Sequence, residues 1–117
     1  MYHFFAFIDR MRYIRRWGLM RSTIPENLTE HAHQTAMIAH ALVLIENRRF
    51  GGNLNPDRAA ILALYHDAAE TITGDLPTPI KYYNRAILGG YREVEDYAKD
   101  TLLDKLPEDL QEDYSEI

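Results

Sequence analysis

The beginning of the chain carries apolar residues at the spacing of an α-helix. They recur three or four positions apart, at Phe4, Phe7, Ile8, Met11 and Ile14. Such a pattern places them on one side of a helix, so we predict an amphipathic helix over residues 3–16 with most of its arginines off the apolar side. The alternative is a helix that lies on a membrane surface.

A second helix is predicted over residues 28–49. Asn27 followed by Glu30 is typical of a helix start, because the two side chains satisfy backbone N–H groups of the first turn. Gly51 and the glycine after it favour the end of the helix. Residues 36–45 are apolar on nearly every side. We therefore expect this helix to be the central core helix, enclosed by its neighbours.

The third predicted helix begins at Asn55-Pro56 and continues to about Thr73. An asparagine caps a helix well, and proline at the first helical position loses no hydrogen bond. Gly74 is expected to end the helix. Residues 74–79 contain two prolines, each of which favours extended backbone in the residue before it, so this segment is predicted to be a stiff loop.

The remaining residues also show helical patterns. We predict a short helix over residues 81–88, a break or kink at Gly89-Gly90, and a further helix from Tyr91 that carries an i,i+4 pair between Glu95 and Lys99. A last acidic segment is expected to start after Pro107. Because no segment alternates with the period of a strand, we predict an all-α fold, and 117 residues suit a single domain over residues 1–117.

Composition narrows the functional classes. A chain with 46% hydrophobic and 26% charged residues is typical of a soluble protein, and its first apolar residues precede the arginines, unlike a secretory signal. We therefore expect a cytoplasmic protein without a membrane span. The net charge of −5 argues against binding of a nucleic acid polymer. Without cysteine, any metal site must use nitrogen and oxygen donors.

Three ionisable residues lie in the apolar run of the third predicted helix. His66, Asp67 and Glu70 share one face at about 100° per residue. Burying them without partners costs several kcal/mol, and a bound metal ion removes much of that cost. We therefore predict a site here. The alternative is a solvated edge for the two carboxylates and a hydrogen-bonded core histidine.

A further metal ligand is predicted on the second helix. His31 lies in its first turn, on the side that should face the third helix. His33 and His40 lie on the opposite side, and we interpret them as surface or hydrogen-bonded histidines. His31 is therefore the candidate that joins His66 and Asp67.

A histidine on one helix followed by an adjacent His-Asp pair on another is the motif of the HD phosphohydrolase superfamily. The surrounding sequences narrow the resemblance, notably residues 16–21 (RWGLMR), residues 65–70 (YHDAAE) and residues 73–82 (TGDLPTPIKY). Together they make the chain resemble the bacterial 5'-deoxynucleotidases of the YfbR type from about residue 3 to its end.

The resemblance implies an HD-domain helical bundle that hydrolyses deoxyribonucleoside 5'-monophosphates to a deoxynucleoside and phosphate, and that forms a homodimer. It implies a divalent cation held by His31, His66 and Asp67. Such donors accept Co²⁺, Mn²⁺, Zn²⁺, Fe²⁺ and, less well, Mg²⁺. Glu70 is implied to handle a proton and Arg16 to orient the phosphate. The resemblance places at the substrate Arg16, Trp17, His31, Asp67, Asp75, Leu76, Pro77 and Thr78.

Several of these residues also have alternative interpretations. Glu70 is alternatively a residue that orients a ligand, Arg16 a surface residue that caps the first helix, and Trp17 a core anchor between the first two helices. Lys81 is a weaker candidate for attracting the phosphate. The resemblance also implies a distal aspartate ligand, for which this chain offers no counterpart.

Because the distal ligand has no counterpart, we expect the chain to be an amino-terminal portion of a longer protein that binds metal weakly on its own.

Three functional alternatives follow. Another HD phosphohydrolase, acting on nucleoside triphosphates, is the nearest alternative to the deoxynucleotidase. A phosphohydrolase of ribonucleotides is a second. A helical regulatory or interaction module with an impaired site is the alternative from a different class.

Overall fold

The computed structural model describes residues 2–76 and 78–117, and its fold is all-α, as predicted. Within this described part no strand is present, and a single isolated antiparallel bridge joins Arg15 to Asn27. The α-helices, in chain order, are α1 (Phe4–Asp9), α2 (Leu28–Arg49), α3 (Pro56–Tyr65), α4 (Glu70–Thr73), α5 (Thr78–Lys81), α6 (Arg85–Leu103) and α7 (Glu108–Gln111).

The bounds of α2 are confirmed. Asn27 has extended backbone, and its side chain accepts a hydrogen bond of 2.9 Å from the backbone N–H of Glu30. At the other end Gly51 adopts a φ of +72°, a conformation that favours glycine. The first turn of this helix, which carries His31, is therefore held by a local cap.

The prediction of one helix over residues 3–16 is wrong in its second half. After α1 the chain tightens into a 3₁₀ turn over Arg10–Tyr13, and Ile14 is extended. The cause is backbone pairing with the segment before α2. The carbonyl of Ile14 accepts a 2.9 Å hydrogen bond from Leu28 N–H, and the N–H of Arg16 donates one of 2.9 Å to Glu26. This pairing lays Arg16 beside the start of α2.

The third helix starts as predicted but ends early. Asn55 caps α3 by accepting from the N–H groups of Asp57 and Arg58 at 3.0 and 3.1 Å. The helix stops at Tyr65, and a tight turn over residues 66–69 precedes α4. The His66 ring provides the reason, because its Nδ1 lies 2.6 Å from the Ala63 carbonyl. That carbonyl is the one that the N–H of Asp67 would use in a continuous helix.

The second half of the chain departs from prediction in four places, the first of which is that the helix predicted over residues 81–88 begins only at Arg85. The helix α6 begins at a cap from Asn84, whose side chain accepts from Ile87 N–H at 2.8 Å, and runs through Gly89-Gly90 without interruption. Glu95 pairs with Lys81 of α5 rather than with Lys99. The acidic segment predicted after Pro107 contains the short helix α7, which begins at Glu108. The expected loop over residues 74–79 is shorter, because α5 starts at Thr78.

The buried core lies beneath the turn that follows α3. Its main cluster joins α1, this turn and the end of α6, and consists of Phe4, Ala68, Leu102 and Leu106. A second cluster joins the 3₁₀ turn to the start of α2 through Met11, Leu28 and Ala32. The two clusters support the ends of α2 and α3 from which His31, His66 and Asp67 project.

The prediction that α2 is enclosed along its middle is wrong. Its residues Met37, Ile38 and Leu42 are 57%, 61% and 60% exposed. The buried side of α2 is narrow and, apart from Leu28 at the start of the helix, is made of the small residues Ala32 and Ala36. The Cα radius of gyration is 15.9 Å, against about 13 Å for a compact domain of this length. No helix within residues 2–76 and 78–117 has the length and apolar character needed to cross a membrane.

Substituting Asn27→Ala should lower the free energy of unfolding by about 1 kcal/mol, because α2 loses its amino-terminal cap. Urea denaturation followed by far-ultraviolet circular dichroism measures the change. The matched control is Asn53→Ala, at an exposed position outside the helices, which should change stability far less. Equal effects from the two substitutions would contradict the capping role.

Candidate metal centre

Three of the predicted ligands converge at one point. One ligand atom from each of His31, His66 and Asp67 lies within 4.8 Å of the other two. The Oδ2 atom of Asp67 is 3.5 Å from His31 Nε2 and 3.0 Å from His66 Nε2. His31 comes from the first turn of α2, and the other two come from the turn after α3. The cluster therefore depends on how these two segments pack.

The remaining histidines near these helices lie elsewhere. His33 is exposed, and His40 is half-buried with its Nε2 atom 3.8 Å from the carboxylate of Asp57. Neither belongs to the cluster of possible metal ligands found in the described residues. The exposure of His33 agrees with the interpretation of a surface histidine, whereas the contact of His40 at 3.8 Å is longer than a hydrogen bond.

The His66 ring is oriented by a backbone contact. Its Nδ1 atom lies 2.6 Å from the Ala63 carbonyl oxygen, which can only accept a hydrogen bond. The proton of the neutral ring therefore belongs on Nδ1, and the lone pair of Nε2 faces Asp67 Oδ2. Two acceptors at 3.0 Å require a proton or a cation between them. Contact with Asp67 raises the pKa of His66, which favours a proton at this position.

The charges of the other two ligands suit metal binding. Burial, followed by the nearby Arg16 charge, lowers the pKa of His31, so its ring is neutral at neutral pH. Burial of Asp67 acts to raise its pKa, but contact with His66 and the nearby Arg16 charge outweigh it and lower the pKa. A neutral imidazole and an ionised carboxylate are the forms that coordinate cations. This set of two nitrogens and one oxygen fits a divalent transition-metal ion.

Glu70 lies one turn beyond Asp67 and is largely buried. Its N–H donates to the Asp67 carbonyl at 3.0 Å, and its Oε2 atom is buried without a hydrogen-bond partner in the described part of the chain. Burial, together with the charges of Asp67 and Asp75, raises the pKa of Glu70 to about 8. This carboxyl group therefore exchanges its proton near neutral pH.

Arg16 lies beside the cluster and is held in place. Its guanidinium donates a 2.8 Å hydrogen bond to Glu26, and both side chains are mostly buried. The Arg16 Cζ atom is also 5.6 Å from the centroid of the Trp17 ring. The reading of Arg16 as a cap of the first helix is wrong, because α1 ends before it.

Trp17 adopts an unusual backbone conformation. Its φ of +62° falls in the left-handed region and costs a residue with a side chain about 1–2 kcal/mol. The side chain is 49% exposed, so the reading of Trp17 as a core anchor is wrong. The turn is closed by a 2.9 Å hydrogen bond from Met20 N–H to the Trp17 carbonyl. The strain is the local cost of holding the indole ring at this position.

A cavity of about 650 Å³ opens beside Arg16. This volume falls in the range of small-molecule sites. One wall is formed by residues 15–20 and the other by the segment after α4. The residues that line it are Arg15, Arg16, Trp17, Gly18, Leu19, Met20, Asp75, Leu76 and Pro79.

The structure brings most of the expected substrate residues to this cavity or the adjacent cluster. Asp75 and Leu76 line it, whereas Pro77 and the side chain of Thr78 lie outside the described residues. Sequence reasoning missed Glu26, which holds Arg16 from ten positions away. It also missed Arg15, which joins the same wall. No sequence signal identifies either residue, because both roles arise from the pairing of residues 14–16 with the segment before α2.

His31→Ala should weaken the binding of Co²⁺ or Mn²⁺ at least about tenfold, because it removes one of three converging donors. Isothermal titration calorimetry of the metal-free chain measures the affinity. The control His33→Ala, on the same helix but outside the cluster, should leave the affinity unchanged. Three protein donors also predict weak binding by the unaltered chain, so tight stoichiometric binding would contradict this account.

Glu70→Gln should stabilise the metal-free chain in a pH-dependent way. The folded pKa of Glu70 is about 8 against an ordinary value of 4.5, so the unfolded state loses this proton first as pH rises. The cost to the native state is absent below pH 4.5, grows between pH 4.5 and about 8, and is complete above.

The stabilisation expected from Glu70→Gln above pH 8 is about 1–2 kcal/mol after allowance for solvent screening. Urea denaturation at pH 4.5, 6.5 and 8.5 measures it, with Glu93→Gln as the exposed control on α6. A stability difference that does not change with pH would rule out this titration.

Comparisons with known proteins identify the family of the chain. The profile of the family described as 5'-deoxynucleotidase YfbR-like matches residues 3–117. A 5'-deoxynucleotidase of Vibrio parahaemolyticus is 57% identical over 113 residues, which is 97% of this chain and 58% of the relative. One of Vibrio cholerae is 55% identical over 96% of this chain and 58% of its own length.

A third relative, a 5'-deoxynucleotidase of Photorhabdus laumondii, is 54% identical over all of this chain and 59% of its own length. The chain thus spans a little under three fifths of the length of these curated relatives. The extent of the family match and the level of identity lead to one conclusion: the chain belongs to the YfbR-like 5'-deoxynucleotidase family.

Proposed function

We propose that the protein is a metal-dependent phosphohydrolase that converts deoxyribonucleoside 5'-monophosphates to deoxynucleosides and phosphate. The observation that carries the proposal is the convergence of His31, His66 and Asp67 one turn from a largely buried Glu70. The names of the relatives, all 5'-deoxynucleotidases, support the same substrate class. The neighbouring cavity has room for a nucleotide.

The ligands of the cation would be His31, His66 and Asp67. When bound, a divalent cation makes water a stronger nucleophile at neutral pH and polarises phosphate oxygens. The chain prepares for this by keeping His31 neutral, Asp67 ionised and the Nε2 atom of His66 turned toward the carboxylate. The metal itself, among Co²⁺, Mn²⁺, Zn²⁺, Fe²⁺ and Mg²⁺, is not distinguished by these donors.

Glu70 is proposed to transfer the proton of the reaction. Its carboxyl group has a pKa of about 8 in the metal-free chain, so it is poised to take a proton from the attacking water or give one to the 5'-oxygen. The Oε2 atom has no hydrogen-bond partner among the described residues, which leaves it available to such a proton. A purely orienting role for Glu70 is the alternative.

Arg16 is proposed to orient the phosphate. Glu26 accepts a hydrogen bond from one nitrogen of the Arg16 guanidinium, and the remaining N–H groups of Arg16 stay available to phosphate oxygens. The cavity wall places the ring of Trp17 next to it, where a flat apolar surface would pack against deoxyribose and leave little room for a 2'-hydroxyl. Asp75 and Leu76 would contact the nucleotide from the opposite wall.

The proposal is tested by phosphate release from dAMP, AMP and dATP by the full-length protein in Mn²⁺ or Co²⁺. We expect release from dAMP, much less from AMP and none from dATP. Glu70→Ala should lower kcat by about 10²–10⁴-fold. The exposed Glu93→Ala should not change kcat.

Each alternative has its own outcome in this experiment. Release from dATP instead of dAMP would favour a triphosphohydrolase, and equal rates on AMP would remove the proposed sugar selectivity. A metal-loaded protein that is inactive on all three would favour the regulatory or interaction module. Homodimer formation and a cytoplasmic location stay predictions that derive from the resemblance and the sequence.

A further inference from the structure

The two walls of the cavity are held in different ways. The wall of residues 15–20 is attached to the segment before α2 by backbone hydrogen bonds and by the pair of Arg16 and Glu26. In the opposite wall, neither Asp75 nor Leu76 makes a hydrogen bond to another described residue. Gly74, with a φ of +74°, ends α4 directly before this wall. The second wall therefore needs an anchor beyond its own backbone.

The short helix α5, at the far end of this wall, has little apolar packing. Pro79 and Ile80 are exposed, as are the two tyrosines after the helix. Lys81 differs, because its side chain is only 24% exposed. Of the side chains that the structure describes in α5, the lysine is the one that packs against the rest of the molecule.

The Lys81 side chain packs into a socket on α6 that is formed by Tyr91 and Glu95. The Lys81 Nζ atom donates a hydrogen bond of 3.3 Å to Glu95 and lies 4.7 Å from the centroid of the Tyr91 ring. Tyr91 and Glu95 are one turn apart on the same face of α6 and are both half-buried, whereas Glu93 and Val94 are exposed. Burial opposes the charge of Lys81, but Glu95 outweighs it and raises the lysine pKa, so the ammonium group stays charged.

The same socket also reaches the near end of the wall. The helix α4, which ends at Thr73, packs against α6, and burial raises the pKa of Tyr91 while the Thr73 side chain acts to lower it. Glu70 begins this four-residue helix. One turn of α6 thus contacts both the segment before Asp75 and the segment after it.

We propose that Lys81, Tyr91 and Glu95 form an anchor that positions the Asp75 wall of the nucleotide cavity against α6. Lys81 acts through Glu95 and Tyr91 as a positioning residue, not by attracting the phosphate. The ammonium group is already engaged by a carboxylate and an aromatic ring, which leaves little of its charge for a substrate anion. The functional part of this proposal rests on the deoxynucleotidase activity proposed above.

The test is a double-substitution cycle of Lys81→Met, Glu95→Gln and both together, in the full-length protein. Steady-state kinetics with dAMP should show KM raised about tenfold in each single variant, with kcat changed less than about threefold. The double variant should be no worse than either single variant, because both remove the same contact. Lys99→Met and Glu93→Gln, at exposed positions of α6, should leave KM unchanged.

The kinetic result separates anchoring from a direct charge effect. If Lys81 attracts the phosphate, Lys81→Met raises KM, whereas Glu95→Gln frees the lysine and leaves KM unchanged or lower. That pattern would overturn the proposal, as would additive effects in the double variant.

Hydrogen exchange provides a readout independent of activity. In Lys81→Met and in Glu95→Gln, exchange should become faster in the segment from residue 74 to residue 84, while α2 and α3 keep the protection of the unaltered protein. Unchanged exchange in this segment would overturn the anchor. If the unaltered protein releases no phosphate from dAMP, the proposed function fails, and the exchange measurement still decides whether the anchor exists.

Discussion

The geometry of the site depends on the burial of Ala68 in the turn after α3. This small residue packs into the core cluster with Phe4, Leu102 and Leu106, and its neighbour Ala69 is buried as well. With these two side chains directed into the core, Asp67 before them and Glu70 after them are left at the site. The Thr71 hydroxyl adds a 2.7 Å hydrogen bond to the Ala68 carbonyl. Apolar packing below the turn therefore orients the carboxylates above it.

The same turn is shaped by a competition for one carbonyl. In a continuous helix the Ala63 oxygen would accept from Asp67 N–H, but the His66 ring takes this position. The chain tightens as a result and continues with bonds three residues apart, such as the one from Ala68 N–H to the Tyr65 carbonyl at 2.9 Å. A single side-chain contact thus ends α3, sets the ring orientation of a candidate ligand and moves Asp67 toward His31.

Charged groups are concentrated here at some cost to the fold. A half-buried Asp67, a largely buried Glu70 whose Oε2 atom has no hydrogen-bond partner among the described residues, and a strained Trp17 all oppose stability in the metal-free chain. The two histidines offset part of this cost, because their Nε2 atoms lie 3.5 and 3.0 Å from Asp67 Oδ2, and the Arg16 charge also lowers the pKa of Asp67. Such a distribution of strained and desolvated groups is typical of active sites, where the molecule gives up stability for a prepared geometry.

Local sequence determined those parts of the molecule that depend on neighbouring residues. The cap at Asn27, the start of α3 at Asn55-Pro56 and the helix stop at Gly74 were all predictable, because caps and turns form within a few residues. The all-α class followed from helical periodicity, and the His31 and His66-Asp67 motif, together with the sequences over residues 16–21 and 73–82, was sufficient to identify the family.

Only the tertiary structure decided the parts that depend on long-range contacts. Residues 14–16 leave the helix because they pair with the segment before α2, and Glu95 binds Lys81 rather than its helical neighbour. The exposure of Met37 and Leu42 is set by which elements pack against α2, which an apolar pattern does not reveal. Periodicity shows how apolar one face of a helix is, but it does not show which element packs against that face. That element, like the Glu26 partner of Arg16, lies far away in the sequence.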